Sequence, residues 1–113
     1  MPRTKDASAA LPGAVTQRLE LLGSNIRTAR IRRRMPLRQL AERARLSVPT
    51  LLKVEAGNPG TGIAAYATVL WVLGLDHALG ELARPDTDQV GLALKASARP
   101  ERARASTRLD DDF

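Results

Sequence analysis

The 113-residue sequence contains no cysteine, which rules out disulfides and thiolate zinc sites. Its one histidine, His77, has no second imidazole or thiol with which to share a metal and no triad to join, and it reads as a surface residue near a helix start. No run of about 18 apolar residues is present, so nothing reads as a membrane-spanning helix. The basic N-terminus leads into Ala9-Ala10-Leu11-Pro12-Gly13, too short an apolar stretch for the core of a signal sequence. A cytoplasmic protein is therefore expected. No grouping of nucleophile, base and metal ligand stands out, because the acidic residues are scattered or confined to Asp110-Asp111-Asp112. Neither an enzyme nor a cofactor is expected. Gly60-Thr61-Gly62 makes a poor phosphate loop, with no strand before it and no Lys-Ser or Lys-Thr pair after it.

What the chain does have is positive charge in one place. Eighteen Lys and Arg against twelve Asp and Glu give a net charge of +6. Residues 18–57 hold ten cations against three glutamates, a net +7, whereas residues 58–92 hold only Arg84 against four acids, a net −3. Arg-rich helix faces are ordinarily just solvated. A concentrated positive field also attracts phosphate and releases counterions, so its meaning depends on which elements carry it.

Those elements are two short helices. Leu37, Leu40, Ala41 and Ala44 recur at three- and four-residue spacing, with Arg38, Gln39, Glu42 and Arg43 left for the wet face. Ser47 stands where an N-cap belongs, and Pro49 falls in the following first turn, where its missing N–H costs nothing. A second helix from Val48 points Leu51 and Val54 one way and ends at Gly57. Such a helix fits the major groove. Val48, Pro49, Thr50, Leu52 and Lys53 are its candidate base contacts, and Arg34, Arg38 and Ser47 are candidate phosphate contacts.

The run Leu40-Ala41, Ala44, Leu46-Ser47, Thr50-Leu51, Val54-Glu55 and Gly57 resembles the Xre or lambda-repressor-like helix-turn-helix family of bacterial regulators. The resemblance extends from about Leu19 to Leu82, with Ile26-Arg27-Thr28-Ala29-Arg30 fitting the family's first helix and Gly57-Asn58-Pro59 the approach to its fourth. It implies an all-α, five-helix domain that binds duplex operator DNA, often palindromic, as a homodimer. It also implies a structural clamp between Arg30 and Glu55, and places Asn58 against the sugar-phosphate backbone. Arg45 stands where the family has glycine, so either this residue is strained or the turn is shaped differently. Leu37 and Leu52 replace a glutamine and a small polar residue, and Leu52 either meets a thymine methyl or packs inward.

The remaining segments divide around that domain. Residues 1–14, with Pro2, Pro12 and Gly13, read as a mobile arm before a domain spanning 15–84. Thr16 is the expected cap of a first helix with an inward stripe of Leu19, Leu22, Ile26 and Ala29, ending at Arg32-Arg33-Arg34, whose charges suit either the helix dipole or phosphate. Thr61 is the expected cap of a fourth helix, Ile63 to Leu73, apolar on most of its circumference. Tyr66, Val69, Leu70 and Leu73 face the core, and Trp71 and Val72 serve either the core or a subunit contact. Asp76 is the expected cap of a fifth helix with a Leu75, Leu79, Leu82 stripe.

Residues 85–113 form an extension. Val90, Leu92 and Leu94 alternate like a strand, yet Val90, Ala93 and Leu94 suit a helical turn, and a short helix or an intermolecular contact is favoured over an isolated strand. Residues 95–108 are basic and poor in large apolar groups. Such a segment reads as a solvated tail, the alternative being that it orders on binding, with Leu109 and Phe113 around three carboxylates as anchors for a partner. With the Gly62–Leu82 stretch, this tail is similar to antitoxins encoded with HipA-type kinase toxins. That likeness implies a HipA-like partner and binding to the protein's own operator. A stand-alone repressor is the alternative.

Overall fold

The computed structural model describes residues 10–98, and every regular element among them is a helix. The helices are α1 (Gly13–Arg32), α2 (Leu37–Ala44), α3 (Val48–Glu55), α4 (Ile63–Leu73), α5 (His77–Glu81) and α6 (Gln89–Ala96). The described chain divides into two units, the first ending at Leu79 and the second beginning at Gly80. Among the described residues all of the buried apolar side chains belong to the first unit.

Helix α1 begins at Gly13, two residues before the expected start of the domain at residue 15, and Thr16 is not its cap. Pro12 takes that place without a side-chain bond. Its carbonyl accepts from the amides of Val15 and Thr16, and the Thr16 hydroxyl turns back to the same oxygen. Ile26 and Ala29 are buried and Leu22 packs beside them, while Leu19 is half-buried. Gly23 extends this stripe. A Cβ built there would lie 2.6 Å from the Glu55 carbonyl oxygen and 2.6 Å from the Gly57 nitrogen, so the α1 backbone rests directly on the end of α3. Gly57 returns the contact, since its own Cβ would lie 2.6 Å from the Cα of Glu20. A helix-interior glycine costs up to about 1 kcal/mol in propensity, and here its absent side chain admits a second backbone.

Four successive helices stop in the same way. After α1, α2, α3 and α4 the residues Arg34, Arg45, Gly57 and Gly74 adopt left-handed φ values of 52°, 56°, 72° and 77°. In each case the next amide reaches back five residues: Met35 to Arg30, Leu46 to Ala41, Asn58 to Lys53 and Leu75 to Leu70. These bonds satisfy carbonyls that a helix end leaves open. Arg45 is thus a left-handed residue in a turn of the ordinary shape, which decides between the two alternatives left by its identity.

The core is centred on Ile26, Leu40, Leu51, Val54 and Val69, all essentially without solvent exposure. Helix α1 packs on α3 and α4, and α2 packs on the same two. On α4 the inward set is Tyr66, Val69, Leu70 and Leu73, as the spacing predicts. Two caps are corrected here. Helix α4 starts after Gly62 with no side-chain cap, one residue beyond the expected Thr61. At α5 it is the Asp76 backbone carbonyl that receives the Leu79 amide. With only five residues, α5 buries no side chain fully. Leu79 packs against the core, whereas Leu75 and Leu82 are exposed, so the expected three-leucine stripe is reduced to one.

In the second unit Val90, Leu92 and Leu94 lie on helix α6. Asp88 caps it by accepting from the Gly91 amide at 3.0 Å, a local bond that stabilises a helix start and that no isolated strand could match. Leu109 and Phe113 lie outside the described residues. No helix among the described residues is long and apolar enough to cross a membrane.

Candidate nucleic-acid interface

Helix α3 is held at both ends. At its start the Ser47 hydroxyl accepts from the Thr50 amide at 3.2 Å and shares a hydrogen bond with the Thr50 hydroxyl at 2.9 Å. At its end Glu55 receives the Arg30 guanidinium through two bonds, Nε to Oε2 at 2.6 Å and Nη2 to Oε1 at 3.1 Å. The third arm of Arg30 donates to the Met35 carbonyl at 3.1 Å. One side chain therefore joins α1, the loop before α2 and the end of α3. The two side chains are 11% and 5% exposed, so the pair is nearly removed from water, where losing one partner costs about 3–5 kcal/mol.

Between these anchors α3 has two different sides. Leu51 and Val54 are completely buried. Pro49, Leu52 and Lys53 are exposed, and Leu52 retains 49% of its accessible surface. Of the two fates open to Leu52, the outward one is observed. Val48 differs from its neighbours, being half-buried against the core, and Thr50 is half-buried. Three residues separate α2 from α3, and Leu46 in this turn packs inward while its amide bonds Ala41.

The charge around this element is outward-facing. Of the ten cations in residues 18–57 only Arg30 is not exposed. Arg38 stands in the first turn of α2, and Arg34 stands at the left-handed position before it. Arg33 donates to the Ala29 carbonyl at 2.9 Å, which favours the helix-end role for this member of the arginine triplet. Asn58 is half-buried and fixed. Its Oδ1 accepts from the Gly60 amide at 2.7 Å, and its carbonyl accepts from the Tyr66 hydroxyl at 2.8 Å, which leaves the amide NH2 as the group able to donate to a phosphate. Burial raises the Tyr66 phenol above its ordinary pKa and keeps this donor protonated.

Sequence reasoning missed Gly23, the Asn58–Tyr66 lock and the left-handed Arg34. A glycine within an apolar helical stripe was a legible signal for the first. Ser47 acts as the cap of α3, and its hydroxyl also lies within hydrogen-bond distance of the Thr50 hydroxyl.

The proposed partner contacts fall elsewhere. Trp71 is 64% exposed and borders a surface depression with Arg43 and Val72, so it is not a core residue. Ile63 is more exposed still, so α4 is covered on one side only. Val90, Leu92 and Leu94 are all exposed on α6. Among the described residues no three His, Asp or Glu side chains come together as a metal site. In comparisons with known proteins, no family model, no curated protein and no solved structure matches the chain.

Proposed function

We propose that this chain is a sequence-specific, duplex-DNA-binding transcriptional repressor in which α2, its three-residue turn and α3 act as a helix-turn-helix of the Xre or lambda-repressor-like type. The observation that carries this is the two-sidedness of α3. Leu51 and Val54 fix it to the core, its ends are tied by Ser47 and by the Arg30–Glu55 clamp, and its other side is open to solvent. A braced, short, outward helix beside exposed arginines suits the major groove. In this scheme Pro49, Thr50, Leu52 and Lys53 meet base edges, with Val48 at the margin, and Arg34, Arg38, Ser47 and the Asn58 amide hold phosphates. A homodimer would set two copies of α3 about 34 Å apart on a palindromic site.

Binding to the DNA upstream of the protein's own gene, measured across a salt series, tests the proposal. Lys53→Ala should lose discrimination between that DNA and random duplex, at a cost of about 1–3 kcal/mol, while Arg38→Ala should weaken both and flatten the salt slope by about one. If neither variant differs from the parent, the site assignment fails. The exposed apolar groups of Trp71 on α4 and of Val90 and Leu94 on α6 favour a protein partner as well. A HipA-like kinase toxin, with this chain as its antitoxin, is the proposed one.

A further inference from the structure

We infer that α3 reads thymine methyl groups in the major groove, so that the DNA class it prefers is defined by apolar contacts more than by hydrogen bonds to base edges. This rests on the DNA-binding proposal and adds the chemistry of its target.

The side chains that most often discriminate bases by paired hydrogen bonds are arginine, lysine, asparagine and glutamine. Of these α3, whose eight residues are Val48-Pro49-Thr50-Leu51-Leu52-Lys53-Val54-Glu55, carries Lys53 alone. Glu55 is occupied by Arg30, and Leu51 and Val54 are buried. The Ser47 hydroxyl is engaged with Thr50 at the α3 cap. What remains on the open side is the Pro49 ring, the half-exposed Leu52, the Thr50 hydroxyl and methyl, and the Lys53 ammonium.

Pro49 and Leu52 are three residues apart and so neighbours on one helix surface, which makes the open side a small apolar patch with one cation next to it. The thymine C5 methyl is the apolar group that an unmodified base pair presents in the major groove. Docked there, Leu52 would remove both its own surface and the methyl from water. The exposed cations of α1 and α2 supply attraction that is independent of sequence, so selection falls to Lys53 and to the larger apolar surface beside it.

The test is a selection followed by a single-atom-group change. A random-sequence duplex pool is cycled over the full-length protein, and the enriched duplex is then synthesised with thymine or with uracil, which lacks the C5 methyl. The uracil form should bind about fourfold more weakly for each methyl that is contacted. Leu52→Ala should narrow that gap, and low-salt binding to the unselected pool should be the same with either base.

Enrichment with equal binding of the thymine and uracil forms overturns methyl readout and leaves DNA binding standing. A gap that Leu52→Ala leaves unchanged overturns the assignment to Leu52. A pool that is not retained even at low salt removes the DNA-binding proposal itself, and methyl readout with it.

Discussion

Arg45 occupies a backbone conformation in which an L side chain crowds the following carbonyl, at a cost of roughly 1–2 kcal/mol. Gly57 and Gly74 meet the same requirement without that cost. Arg45→Gly is therefore expected to raise stability by about 1 kcal/mol, seen as a thermal midpoint some 4–8 °C higher for a domain of this size. An unchanged or lower midpoint would contradict the left-handed assignment at this turn. Arg45 itself was conspicuous in the sequence, whereas Arg34 was not, because a run of three arginines at a helix end looks like charge compensation wherever the chain then turns.

At the scale of elements, the contact between α1 and α3 is made by two glycines and a clamp. In an isolated helix, Gly23→Ala would stabilise by up to about 1 kcal/mol through propensity alone. Here the new methyl would meet the backbone of Glu55 and Gly57, which has no flexible end to move aside. The substitution should instead destabilise by about 1–3 kcal/mol, a reversal of sign measurable by urea unfolding. A stabilised variant would mean that α1 and α3 lie farther apart. The limits of α2 and α3, the Ser47 cap and the inward face of α4 were legible in the sequence, since each depends on spacing within one turn or two. The starts of α1 and α4 were not. Pro12 and Gly62 serve as caps through the backbone alone, and a nearby threonine in each case offered a more conspicuous hydroxyl that does not cap the helix.

For the whole molecule, the placement of the core before Gly80 has a consequence for its minimum length. Among the described residues every fully buried apolar side chain, from Ile26 to Leu73, lies in the first unit, and Leu79, at the end of that unit, packs against them. A chain ending at Ala83 should keep cooperative unfolding, with a midpoint in urea close to that of the full chain. A large loss of stability would show that residues after Ala83 contribute to the core. If such a chain also retains low-salt binding to duplex DNA, the basic first unit is sufficient for it. The region from Gly80 onward then remains as the proposed surface for partners, with Val90 and Leu94 exposed on α6.

Local periodicity and side-chain chemistry by themselves determined that this chain is helical, where its two short central helices begin and end, and where its positive charge is concentrated. Each of those properties is set by residues within a few positions of one another. Only the tertiary structure decided which side of α3 is open, that Leu52 and Trp71 point outward, and that Gly23 admits a second backbone. Those outcomes depend on which distant surface arrives first at a given face, and the side chains of one segment do not encode the position of another.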